Sequence, residues 1–227
     1  MVYITGDTHG LTDIGKLLKF ADVAYWLSKE DYVIIAGDFG GVWSKKTLDE
    51  DLKPYEKLPF NVLFVDGNHE NFDLLNAYTV ETRFGGKVHV IKPNIIHLMR
   101  GQVFEIEGKR FFTFGGATST DKALRVKGKS WWEQESPSDE DIIEANANLE
   151  KVGFKVDYIV THSCDEKTLY YPIMRTVTFP KVYPENFTLS YFEEKVDYKH
   201  WYFGHYHIDG RINDKKSALY NDILLIC

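Results

Sequence analysis

Cysteine is scarce in this sequence: Cys164 and Cys227 are the two present among 227 residues. Thiols so far apart match no zinc-type spacing and imply no disulfide framework, which excludes the scaffold of a small disulfide-rich secreted domain. Long basic runs are also missing, and 27 basic against 34 acidic side chains leave a formal net charge of −7. A sequence-independent grip on nucleic acid rests on neutralising phosphates, so nucleic acid is disfavoured as a partner. No uninterrupted apolar segment approaches membrane-spanning length, and the start, Met1-Val2-Tyr3-Ile4-Thr5-Gly6-Asp7, lacks the basic and long apolar regions of a signal peptide. The expectation is a cytoplasmic protein with no membrane partner. Solenoid repeats and low-complexity tracts are absent as well, and nothing announces an oligomeric state.

What is there is a chain 44% hydrophobic, enough for one sizeable core and a single domain over residues 1–227. Val2–Thr5, Tyr32–Ala36 and Asn61–Val65 read as strands. Each ends in a polar, glycine-containing loop and is followed by helical spacing, over residues 11–28, 48–58 (interrupted by Pro54) and 71–78. Three such units argue for a parallel sheet covered by helices, with the working loops at the carboxyl ends of the strands. From residue 88 the pattern turns partly antiparallel, with strands over 88–91, 95–99 and 102–106 and a hairpin through Glu107-Gly108-Lys109 into 110–114. Residues 115–136 are irregular, Ser138 opens a helix toward Gly153, and Val156–Thr161 and His200–Phe203 are further strands. Residues 163–199 read as an insertion or lid, and 210–212 with 218–226 as a closing antiparallel pair.

The strand tips supply Asp7 and His9, Asp38, Asn68 and His69, His162, then His205 and His207. Carboxylates, an amide oxygen and imidazoles without thiolate suit divalent ions such as manganese, zinc, iron, cobalt or nickel, manganese being the first expectation. Residues two apart, as in Asp7-Thr8-His9 and His205-Tyr206-His207, deliver two ligands to one side if the backbone stays extended. His89, His97 and His200 fall inside strand-like runs and read as structural. Glu70 reads as support for its helix or for a ligand.

Gly-Asp-Thr-His-Gly at 6–10, Gly-Asp at 37–38, Gly-Asn-His-Glu at 67–70, His162 and Gly-His-Tyr-His at 204–207 resemble the ordered blocks of the calcineurin-like metallophosphoesterase superfamily. That resemblance implies a four-layer α/β/β/α sandwich of two mixed sheets with a two-metal site at the strand ends. It implies that Asp7, His9 and His207 hold one ion and Asn68, His162 and His205 the other, with Asp38 bridging and His69 protonating the leaving group. Two cations roughly 3.5 to 4 Å apart can clamp the attacking and leaving oxygens of an in-line displacement and lower the pKa of a shared water toward neutrality.

The expected substrate is a small phosphorylated molecule, with Arg125 contacting its phosphate from the irregular segment beside Trp131-Trp132. Two departures bear on it. Asp38 is followed by Phe39-Gly40-Gly41, where the superfamily's protein phosphatases carry an Asp-Arg pair, so a phosphoprotein substrate is disfavoured. Thr161-His162-Ser163-Cys164-Asp165 lacks the prolines of many relatives, although the histidine is kept. The alternatives are a catalytically silent scaffold on the same fold, which the complete ligand set opposes, and a nuclease, which the net charge opposes.

Overall fold

Strands apolar at successive positions must be buried on both faces. The structure, a computed structural model, describes residues 1–172, 174 and 181–227. Its elements are β1 (Val2–Thr5), α1 (Gly15–Val23), β2 (Tyr32–Ile35), α2 (Leu48–Glu56), β3 (Asn61–Phe64), α3 (Phe72–Leu75), β4 (Val80–Arg83), β5 (Gly86–Lys92), β6 (Ile95–Leu98), β7 (Gln102–Ile106), β8 (Lys109–Phe114), α4 (Asp139–Lys151), β9 (Tyr158–Thr161), α5 (Pro184–Lys195), β10 (His200–Phe203), β11 (Gly210–Asn213), β12 (Lys216–Ala218) and β13 (Leu224–Leu225). One mixed sheet runs β13-β1-β2-β3-β6-β5-β4 and the other β11-β12-β10-β9-β8-β7.

Alternate residues of each strand serve different cores. Tyr3, Val33, Ile35, Val62 and Phe64 face Leu17 of α1 and Leu52 and Tyr55 of α2. Their neighbours Val2, Ile4, Ile34 and Leu63 point the other way and meet Phe111, Val160 and Tyr202 of the second sheet. Phe112, Ile159, Trp201 and Phe203 turn outward to Ala145 and Leu149 of α4 and to Leu189 and Phe192 of α5. The layers are therefore α/β/β/α. Each fully buried aliphatic or aromatic side chain contributes about 1.5–3 kcal/mol, so the stacking is held mainly by these three cores.

Register brings the loops together. β1, β2 and β3 are parallel and end flush, Thr5 opposite Ile35 and Ile35 opposite Phe64. β9 and β10 are parallel too, with Thr161 opposite Phe203.

Several expected elements differ in extent. The first helix covers Gly15–Val23 instead of 11–28, because residues 8–13 are spent on a turn in which Thr12 N–H donates to the His9 carbonyl and Asp13 N–H to that of Thr8. Pro54 does not interrupt α2, which continues to Glu56, although it forfeits the hydrogen bond its N–H would make to the carbonyl four residues earlier. Residues 218–226 divide between sheets: β12 pairs with β11, and β13 crosses over to pair antiparallel with β1. The polar strand β4 carries no alternation by which to find it. Within the segment read as an insertion, α5 buries Leu189 and Phe192 in the second core, while residues 173 and 175–180 lie outside the described residues.

Just past β3, Asp66 is fully buried and accepts from Arg100 Nε at 2.6 Å, with His97 Nε2 at 3.3 Å. Arg100 also donates to the Gln134 carbonyl at 2.6 Å, and the Asp66 carbonyl accepts from Gly116 N–H at 2.8 Å, so the pair ties β3 to both ends of the 115–136 segment. Burial works against ionisation of Asp66, but Arg100 and His97 outweigh it and hold its pKa down to about 2. A depressed carboxylate stabilises the fold above its unfolded pKa and loses that contribution as pH falls through the folded one. Unfolding free energy should therefore drop by about 2 kcal/mol between pH 4 and pH 2 on account of this group. Urea denaturation across that window should show the drop in the wild type and a shallower one in Asp66→Asn; equal slopes would remove the assignment.

Candidate metal centre

Five strand ends deliver the candidate ligands. The loop after β1 carries Asp7 and His9, that after β2 Asp38, and that after β3 Asn68 and His69; β9 is tipped by His162 and β10 by His205 and His207. Asp7, Asp38, Asn68 and His162 are buried, whereas His207 keeps about half of its side chain exposed (49%). The donor atoms of Asp7, His9, Asp38, His69, His162 and His207 converge in three overlapping groups, Asp7–His9–His207, His9–Asp38–His69 and Asp7–Asp38–His162, with the atoms of each group within 4.8 Å of one another, while His205 joins none of them and its ring centroid lies 4.9 Å from that of His162.

Asp38 stands in the middle. Its Oδ2 lies 3.3 Å from His9 Nε2 and its Oδ1 3.2 Å from His162 Nε2, so its two oxygens face the two sides of the cluster. Oδ1 also accepts from the His69 N–H at 2.7 Å. His162 donates from Nδ1 to the Ala36 carbonyl at 2.9 Å, which leaves Nε2 aimed at Asp38 and at Asn68 Oδ1, 3.2 Å away. Asn68 in turn donates to Ser119 Oγ at 3.3 Å, which points its oxygen inward.

The motif glycines make this crowding possible. A Cβ on Gly67 would lie 2.0 Å from Asp38 Oδ1, and one on Gly37 2.0 Å from His162 Nδ1. An extended backbone through the paired tips is not what forms. His9, Asp38, His205 and His207 all have positive φ, between 43° and 70°, so these tips are turned inward by a conformation costly to ordinary residues and concentrated at functional sites.

The donor set fits divalent cations. Asp7 Oδ2 is the one buried side-chain nitrogen or oxygen among the described residues that makes no hydrogen bond; His207 Nε2 lies 3.2 Å from it without hydrogen-bond alignment. Without a cation, protons must do the same work. Burial would lower the His162 pKa, but Asp38 and Asp7 raise it to about 10. Asp38, despite its burial, is held well below the usual carboxylate range chiefly by His162. His205 is pushed down to about 4 by its surroundings and by His162. A cation would replace the His162 proton at that point, so metal uptake near neutrality is coupled to proton release.

Around the donors, several residues act as supports. Glu70, fully buried, accepts from Phe39 and Gly40 N–H at 2.8 and 3.2 Å and so fixes the loop after Asp38. Burial, with Asp38 and Asp66 nearby, pushes its pKa well up. Asp13 Oδ2 accepts from His9 Nδ1 at 2.7 Å, leaving Nε2 for the cluster. Asp13 and Ser119 escaped the sequence reading; a carboxylate four residues after His9 was the available signal for the first, and Ser119 has none. His89 and His97 pair at 3.0 Å and His200 meets Ser217 at 2.9 Å, all away from the cluster. Arg125 stands beside it: Nη2 is 3.1 Å from His69 Nε2, Nε 2.7 Å from Asp121, and Nη1 donates to the Ser130 carbonyl at 3.3 Å.

Sheet order, stacked cores and a carboxylate–imidazole cluster along one rim together define a class, the α/β/β/α sandwich proteins whose strand ends can hold metal ions. The chain belongs to the calcineurin-like phosphoesterase family, whose model matches residues 1–209, and this membership supports metal-dependent phosphoester hydrolysis in general. No curated protein matches it. Among solved structures it is similar to a phosphopantetheinyl hydrolase from Mycobacterium tuberculosis (15% identity, 96% of this chain and 87% of that one, TM-score 0.44). It is also similar to a protein of unknown function, AQ665, from Aquifex aeolicus (17% identity, 72% of this chain and 80% of that one, TM-score 0.37). Among the described residues no helix is long and apolar enough to cross a membrane.

Proposed function

We propose that the chain is a two-metal phosphoesterase acting on a small phosphomonoester or phosphodiester. The observation that carries the proposal is the placement of the Asp38 carboxylate, one oxygen toward His9 and the other toward His162, beside the unsatisfied Asp7 Oδ2. Asp7, His9 and His207 would hold one ion, Asn68, His162 and His205 the other, and Asp38 both. Divalent cations there, manganese first among the candidates, would supply an activated water at neutral pH and charge neutralisation for the phosphoryl oxygens.

The chain's own groups do the rest. His69, half-buried beside the cluster, is the proton donor to the departing oxygen. Burial and the Arg125 cation hold its pKa below the ordinary value against the pull of Asp38. A guanidinium can only donate, so His69 Nε2 accepts from Arg125 before substrate arrives. A phosphate oxygen entering between them takes over the Arg125 donor and leaves Nε2 free to take up a proton from solvent, which it then gives to the departing oxygen. Phosphoryl transfer asks mainly for alignment and charge stabilisation, so no serine or cysteine nucleophile is required.

Hydrolysis of p-nitrophenyl phosphate and its bis ester, then of a wider phosphate-ester panel, with manganese, zinc, iron, cobalt and nickel each supplied in turn, tests the reading. Turnover dependent on added metal is the expected result. Failure with every metal on every ester would overturn it.

A further inference from the structure

The Asp7–His9–His207 side of the cluster is backed by a layer of further side chains, part of which comes from beyond residue 209, where the family match ends. Asp209 organises a turn near the chain end: its carboxylate accepts from the N–H groups of Tyr220, Asn221 and Asp222 at 2.7, 2.9 and 2.9 Å. That turn lies directly on the glycine of the first motif. A Cβ on Gly6 would sit 2.1 Å from the Leu219 carbonyl oxygen and 2.7 Å from Tyr220 Cα, so glycine there is what admits the turn. Lys16, from α1, locks the two segments together. Its Nζ donates to the carbonyls of Gly6 at 3.0 Å, Asp7 at 2.6 Å and Tyr220.

Held in this way, Tyr220 reaches two of the three donors. Its ring stacks on one face of His207, centroids 4.5 Å apart and planes within 11°, and so braces an imidazole whose side chain stays about half exposed. Its hydroxyl donates at 3.2 Å to Asp13 Oδ1, and the other oxygen of Asp13 accepts from His9 Nδ1 at 2.7 Å. One phenol thus fixes His207 by contact and His9 through a carboxylate.

We propose that Tyr220, with Asp13, is a positioning residue for the cation at Asp7–His9–His207, and that the segment beyond the family match is a working part of that half of the site. The proposal rests on the reading of those three residues as ligands. Removing a partner that orients a metal ligand weakens metal binding by about 10–100-fold.

The test is titration of metal-free protein with Co2+, followed by calorimetry and by the visible d–d absorption, for the wild type, Tyr220→Leu, Tyr220→Phe and Asp13→Asn. The wild type should take up two ions. Tyr220→Leu and Asp13→Asn should weaken one of them by about 10–100-fold and change its absorption band, leaving the other untouched. Tyr220→Phe keeps the stacked ring and loses only the link to Asp13, so it should lie between the wild type and Tyr220→Leu. Circular dichroism and thermal melts establish that each variant is folded. Two unaltered binding events in Tyr220→Leu, or equal weakening of both, would overturn the positioning role alone. A wild type that takes up no Co2+ would overturn the ligand reading and this inference with it.

Discussion

Asp38→Asn should leave a folded chain that no longer retains its cations and whose hydrolytic rate has fallen on the order of 10³-fold or more. The reason is geometric. Both oxygens of Asp38 are committed, Oδ2 facing His9 Nε2 at 3.3 Å and Oδ1 facing His162 Nε2 at 3.2 Å while accepting from the His69 N–H. An amide turns one of those acceptors into a donor pair and removes the charge, and neither rotamer spares both sides of the cluster. Metal content by elemental analysis after gel filtration is the decisive readout, with circular dichroism to show that the fold persists. A variant that kept two ions per chain would show that Asp38 does not bridge.

His69→Ala should do the opposite with respect to metal. Its imidazole donates to no other candidate ligand, so cation content should match the wild type while the rate falls by about 10²–10⁴-fold, the range general acids supply. Leaving-group dependence sharpens the test. A p-nitrophenolate departs well without a proton and an alkoxide does not, so the loss should be greater on an alkyl phosphate than on the nitrophenyl ester. Full activity on the alkyl ester would remove His69 from the role of acid.

Much of the cluster was legible because each tip is local in sequence. A strand, a glycine and a polar side chain within five residues mark Asp7 and Asp38, and the repetition of that pattern along the chain gives each its weight. The layer order followed from strands apolar at successive positions. What could not be read depends on partners far apart. Tyr220 and Asp13 are 207 residues from each other and meet only because β13 returns to the edge of the first sheet beside β1. Arg125 could be picked out as a basic residue near the site, but its contact with His69 spans 56 positions and a segment without periodicity. The first helix was overdrawn for a related reason: apolar spacing continues through residues 11–14, yet the turn that aims His9 takes those residues for itself.

The candidate ligands are divided between the layers, with Asp7, His9, Asp38 and Asn68 leaving one sheet and His162, His205 and His207 leaving the other. An ion seated among them is therefore a rivet through the sandwich as much as a reagent. Whatever pries the two sheets apart must also empty the site, and whatever fills the site must tighten the seam between them.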